Sequence, residues 1–303
     1  MKSLFWTGKL SLPVSILVNA NNVLAFVNGN SSNKSAMKER VKLGYEGTFT
    51  DLVARYDELT SFYQKRTAVA QLEGIDLQGR EIIDIGCGTG IIALLALEKG
   101  AKKAVCGDIS EKMLNQAKEN AKSAGYDSTR IIFNQLDAES LPFNEDSFDA
   151  VITGMAFGLF PDQEKAVREM FRVLRPGGLI SLGAHGPEHY WEAIDTTIRA
   201  LNKRHVLGYR FEFWPRTERH IIKLMKDAGF KDFQTNRFTW RNHFNTPTEA
   251  CEFFAAVSSN WWYAIIPESK RMGEYQKTKM LFEKMGVRQV TDDVIFGFGK
   301  KPD

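Results

Sequence analysis

Five short apolar runs, alternating with stretches that carry apolar residues at helical spacing, occupy residues 81–183. Glu81–Ile85, Lys103–Gly107, Arg130–Asn134, Phe148–Thr153 and Leu179–Gly183 are the predicted strands. Ile91–Lys99, Glu111–Ala124 and Gln163–Leu174 are the predicted helices between them, and the turn Arg175-Pro176-Gly177-Gly178 leads into the fifth strand. Strand–helix alternation at this spacing predicts a parallel α/β sheet covered on both faces. Beyond Gly183 the pattern loosens. Thr217–Ala228 reads as a helix ended by Gly229, and Phe233–Trp240 and Asp293–Gly299 read as two late strands. Residues 241–292 between them carry two predicted helices, Thr248–Val257 and Ser269–Met285, and an aromatic group, Trp261, Trp262 and Tyr263. Ahead of the sheet, residues 35–78 form a helical region with a break near Gly44–Thr50.

Composition narrows the class. Of 303 residues, 43% are hydrophobic and 25% charged, which excludes wholesale disorder, a collagen-like fibre and a polytopic membrane protein. The net charge of +3 gives no nucleic-acid footprint, so no nucleic-acid partner is expected. Three scattered cysteines, Cys87, Cys106 and Cys251, form neither a disulfide framework nor a zinc site, and no metal is expected. They fit a reducing compartment, so the expected localisation is cytoplasmic. Residues 1–34 read as a flexible or surface-packed leader. The apolar run Leu10–Val18 is interrupted by Ser11, Pro13 and Ser15 and is too short for a bilayer, which needs about 20 apolar residues. A cleaved signal is the less favoured reading of this segment.

The chemistry lies in Asp84-Ile85-Gly86-Cys87-Gly88-Thr89-Gly90, which follows a strand and opens a helix. Glycines there permit a tight turn and let a ligand approach the backbone beside a helix N-terminus. A dinucleotide loop would place its third glycine at position 91, which is Ile91; here the third glycine is Gly90. Asp108 closes the second strand, where an acid can hold two ribose hydroxyls. Leu136-Asp137-Ala138 follows the third strand, and Arg175-Pro176-Gly177-Gly178 precedes the fifth. In order and spacing these landmarks resemble the class I S-adenosylmethionine (SAM) methyltransferases, most nearly the small-molecule branch that includes quinone-biosynthesis C-methyltransferases. The resemblance is close over about residues 79–182 and looser on the flanks.

The resemblance implies a Rossmann-like, seven-stranded, mostly parallel sheet with helices on both faces and an antiparallel last strand. Residues 79–303 would be the SAM-binding domain. Residues 241–292, with the helices before Gly79, would form a lid over the acceptor. Gly86, Gly88 and Gly90 would bring backbone to the methionine part of SAM, with Cys87 in the same loop. Asp84 would reach its amino end, directly or through water. Asp108 would bind the ribose, with Ile109 and Met113 against the adenine. Asp137 would hydrogen-bond the adenine amino group beside Ala138, and Thr153 and Gly154 would line the sulfonium. For Ile109, Met113 and Ala138, plain core packing is an equal reading.

The resemblance implies an enzyme that transfers a methyl group from SAM to a small, apolar or aromatic metabolite. Methylation of protein or RNA, and non-catalytic SAM binding, are the alternatives. Thr153-Gly154-Met155-Ala156-Phe157 lacks the Pro-Pro motif of methyltransferases acting on base or glutamine nitrogens. His185 and His189 follow the fifth strand, and imidazole titrates near neutrality, so either is a candidate general base beside its reading as an ordinary loop histidine. Phe253, Phe254, Trp261, Trp262 and Tyr263 could wall the acceptor or fill a lid core. Tyr56 and Arg66 read as surface and core residues rather than as partners of the cofactor carboxylate.

Overall fold

The computed structural model describes residues 55–201, 217–258 and 266–303. Trp261, Trp262, Tyr263 and the leader lie outside the described residues. The strands are β1 Glu81–Ile85, β2 Lys103–Asp108, β3 Ile131–Gln135, β4 Phe148–Thr153, β5 Leu174–His185, β6 Lys231–His243 and β7 Gln289–Lys300. The described helices are α1 Tyr56–Leu72, α2 Ile91–Glu98, α3 Glu111–Ser123, α4 Gln163–Val173, α5 Trp191–Leu201, α6 Glu218–Ala228, α7 Pro247–Val257 and α8 Glu268–Met285.

The strands make one sheet in the order β3-β2-β1-β4-β5-β7-β6. Pairs from β3 through to β5 are parallel, and β7 runs antiparallel to both β5 and β6. This is the Rossmann-like sheet with an antiparallel last strand. The inner strands read as unbroken apolar runs because helices cover both faces. Within β1, Ile82 packs with Leu72 and Ala93 on one face, while Ile83 and Ile85 pack with Val151 and Met170 on the other. The chain runs from β1 outward to β3 and then crosses back to β4 beside β1. That reversal opens a crevice at the carboxyl ends of β1 and β4, the place where such sheets bind ligands.

Local chemistry fixes the helix ends that frame the crevice. The Ser110 hydroxyl accepts the Met113 N–H and starts α3 directly after the Asp108 turn. Thr246 caps α7 in the same way, and Pro247 occupies the first helical position, where no backbone donor is required. Helices α1, α5, α7 and α8 form a separate apolar cluster of their own, with Tyr63, Tyr190, Phe253, Phe254 and Phe282 at its centre.

Three boundaries differ from the sequence expectation. Strand β5 begins at Leu174, so the Arg-Pro-Gly-Gly turn is a bulge inside the strand: Phe148 pairs with Leu174, and the next pair is Ala150 with Leu179. Arg175 leaves the sheet there to pair with Asp149 at 2.7 Å. Strands β6 and β7 are longer than their apolar stretches and take residues 241–243 and 289–292 from the predicted insertion, leaving 244–288 between them. Helix α5 was not anticipated. No helix among the described residues is long and apolar enough to cross a membrane.

Candidate active site

The glycine loop hangs on β2. Gly107 offers its carbonyl to the N–H groups of Gly86 (2.7 Å) and Cys87 (3.0 Å). Gly86, Gly88 and Gly90 all have positive φ, at 70°, 54° and 89°, the region open mainly to glycine. Their surroundings differ. A Cβ on Gly86 would stand 2.5 Å from the Ala156 Cβ, and one on Gly90 would stand 3.3 Å from the Ala117 Cβ. One on Gly88 would meet nothing within 4 Å. Gly88 therefore faces open space, whereas Gly86 and Gly90 are held by packing.

That space is a cavity of about 1280 Å³, counting its open mouth. One side is walled by Gly86, Cys87, Gly88, Asp108, Met113 and Gly154. The other side takes residues from α1, the end of β5, α5 and α7, among them Tyr63, Thr67, His185, Tyr190, Thr197 and Phe254.

The two acids hold different places. Asp108 is on the wall; its Oδ2 accepts the Gly88 N–H (2.8 Å) and its Oδ1 the Ser110 N–H (2.9 Å). Burial raises its carboxyl, and these backbone donors pull it partly back. A carboxylate has about four acceptor positions, so Asp108 keeps capacity for hydroxyl donors. Asp84 is sealed beneath the loop, away from the cavity wall, and neither of its oxygens makes a hydrogen bond. Burial pushes its carboxyl up to about 8, and the Asp108 charge adds to the rise.

A pH dependence follows. The folded Asp84 keeps its proton between about pH 4 and 8, where an unfolded carboxyl has lost it, so the ligand-free protein loses stability as pH rises through that window. Asp84→Asn should flatten this part of the profile. Melting temperatures at a series of pH values test it, and an unchanged slope would contradict the assignment.

Helix α1 straps the site together. Asp57 accepts the Thr89 hydroxyl (2.7 Å) and the Asn120 amide (2.9 Å), joining α1 to the glycine loop and α3. Gln71 donates to the Thr153 carbonyl (3.0 Å) and the Ser181 hydroxyl (2.9 Å), joining it to β4 and β5. Arg66 pairs with the fully buried Asp292 on β7, donates to Asn242 (2.8 Å) and lies over the Trp240 ring. Tyr56 lines the cavity and Arg66 does not. Sequence reasoning missed Gln71 and Asp57, because no spacing rule marks them.

The two histidines separate clearly. His185 ends β5 on the cavity wall. His189 is buried behind it, and its Nδ1 accepts the Asp293 N–H at 3.0 Å, which puts the proton of the neutral ring on Nε2. Burial holds its pKa well below the usual histidine range, with the neighbouring His185 as the next cause. Its geometry is that of a loop anchor. Tyr190 follows with φ 53°, an unusual conformation for a large residue, its ring centroid 3.7 Å from that of His189.

Other predicted residues are placed as follows. Met113 and Gly154 line the cavity. Ile109 is half-buried and Ala138 lies in the core. Asp137 accepts the Glu139 N–H (3.0 Å) in a turn away from the described wall. Thr153 is fully buried and offers its carbonyl to Gln71. Cys87 is a buried wall residue; burial pushes its thiol up, with Cys106 beside it, and among the described residues no cation acts to lower it toward a thiolate.

A family model described as a methyltransferase domain matches residues 83–182. The chain is 36% identical over 174 residues to a demethylmenaquinone methyltransferase of Desulfitobacterium hafniense, covering 52% of this chain and 68% of that protein. It is 35% identical over 206 residues to one from Thermus thermophilus, covering 60% and 90%. Among solved structures, phosphoethanolamine N-methyltransferase 2 of Haemonchus contortus, bound to phosphomonomethylethanolamine and S-adenosylhomocysteine, shares the fold. Its TM-score is 0.51 at 21% identity, over 78% of this chain and 53% of that one. The chain therefore belongs to the class I SAM-dependent methyltransferases and is related among them to the quinone-biosynthesis C-methyltransferases.

Proposed function

We propose that this methyltransferase acts on a small aromatic metabolite bearing a ring hydroxyl, and that it methylates a ring carbon. One observation carries the reading. The cavity joins the glycine loop to a chamber of aromatic and aliphatic side chains with a few hydroxyls, the amides of Gln64 and Gln71 and, among the described residues, one histidine, His185. Such a wall suits an apolar ring with few polar substituents. The relatives named demethylmenaquinone methyltransferase act, by that name, on a quinone precursor.

The residues fit SAM. Gly88 faces open space into which any Cβ would project, and Asp108 stands beside it with acceptor capacity for the ribose. Met113, Ile91 and Ile92 supply apolar surface for the adenosine. Bound SAM supplies an electrophilic methyl group; the chain supplies orientation and a dry site. His185 accepts the hydroxyl proton of the acceptor on its imidazole, which raises the electron density of the adjoining ring carbon.

The test uses methyl-labelled SAM and a reduced naphthoquinone. The wild-type chain should label the ring carbon, and His185→Ala should lower transfer by about 10²–10⁴-fold without changing affinity for S-adenosylhomocysteine. Label on oxygen, no label at all, or full activity in His185→Ala would each overturn the reading.

A further inference from the structure

We propose that Gln71, on the helix ahead of the sheet, receives the α-ammonium group of the cofactor through its side-chain oxygen. The starting point is Asp84. The acid that the loop motif would aim at this group is sealed off, with both oxygens buried away from the cavity. Asp84 therefore offers no direct contact to the amino end of the ligand, whereas Gln71 stands on the wall itself.

Gln71 is 1% exposed and still belongs to the cavity wall. Both donors of its amide are committed, one to the Thr153 carbonyl and one to the Ser181 hydroxyl. A carbonyl can only accept, so the nitrogen is fixed on that side and the oxygen on the other. No described residue donates to Oε1, and a Cβ built on Gly154 would stand 3.9 Å from it. The oxygen is therefore a preoriented acceptor beside the carboxyl end of β4.

Strand order supplies the ligand. Asp108 ends β2, the glycine loop ends β1, and Gly154 and Gln71 sit at β4, in that order across the sheet. A cofactor with its ribose at Asp108 and its middle over Gly88 brings its amino-acid end to β4. That end carries three N–H donors and a carboxylate. A neutral carbonyl oxygen attracts the first and repels the second, so it selects the orientation as well as the group.

The test is independent of the acceptor and reads binding rather than turnover. Calorimetry compares S-adenosylhomocysteine with its deamino analogue, on the wild-type chain and on Gln71→Met. The wild type should prefer the amino-bearing ligand by about tenfold or more, as expected for a hydrogen bond to a charged group, and the variant should lose that preference. Equal weakening of both ligands in Gln71→Met, with the preference intact, would mark Gln71 as structural and overturn the proposal. So would a wild-type chain that binds both ligands equally. Should Gln71→Met fail to fold, Gln71→Glu decides: a carboxylate at the same point should widen the preference, and an unchanged preference overturns the proposal.

Discussion

Gly88→Ala should sharply weaken cofactor binding at little cost to the fold, whereas Gly86→Ala should first of all destabilise the fold. A methyl group on Gly88 meets no protein atom within 4 Å, so the folded chain bears only the strain of φ 54°, roughly 1–2 kcal/mol for an L-residue. The same methyl projects into the space the cofactor needs, and SAM affinity should fall by about a hundredfold or more, roughly 3 kcal/mol. At Gly86 the new Cβ would stand 2.5 Å from the Ala156 Cβ, which is one bond from backbone and cannot swing aside. Overpacking of that kind costs about 1–3 kcal/mol beyond the strain of φ 70°. Melting curves and SAM calorimetry on both variants check the contrast. Wild-type SAM affinity in Gly88→Ala would show that the cofactor does not lie against this loop.

The second large effect belongs to Arg66. It is the cation paired with Asp292, whose side chain is fully buried on β7. Burial pushes the Asp292 carboxyl up to about 7, with Asn242 and Arg66 pulling it down and Glu192 adding to the rise. Removing one partner of such a pair strands the other, at about 3–5 kcal/mol. Arg66→Met should therefore destabilise strongly at pH 8. The sign with pH is fixed by the raised carboxyl: between about pH 4 and 7 the folded state holds a proton that the unfolded state has released, so stability falls as pH rises. Without Arg66 the charged form is more costly still, and the gap between variant and wild type should narrow at pH 5. The double variant Arg66→Met, Asp292→Asn should recover much of the loss. A gap that stays constant from pH 5 to pH 8 would rule out a stranded carboxylate as its cause.

The central sheet was legible because each inner strand is an apolar run bounded by glycine or an acid, as in Glu81–Ile85 before Gly86. The ends of β6 and β7 were not. Asn242, Asp292 and Asp293 are polar, and what makes them strand residues is burial against partners far away in sequence: Arg66 at 226 positions from Asp292, and Arg237 at 2.7 Å from Asp293. In the loop, sequence marked three equivalent glycines; only the packing around each separates the one facing open space from the two facing Ala156 and Ala117. His185 and His189 were likewise indistinguishable until the strand end put one on the wall and the other against the Asp293 amide. Gln71 carries no signal, since its meaning depends on Thr153 and Ser181 lying opposite it.

The strap formed by α1 also bears on the order in which the protein assembles. Its contact with Asp292 closes a span of 226 residues, and its contact with Asn242 one of 176. Contacts of such separation form late, because the loop-closure entropy must be met before they contribute anything. During synthesis the glycine loop and Asp108 emerge long before β7, so the motif most visible in the sequence is complete while one wall of its cavity is still unanchored. Pulse-labelled hydrogen exchange during refolding should then show β1 and β2 amides protected before those of α1, with competence to bind the cofactor arriving on the slower phase.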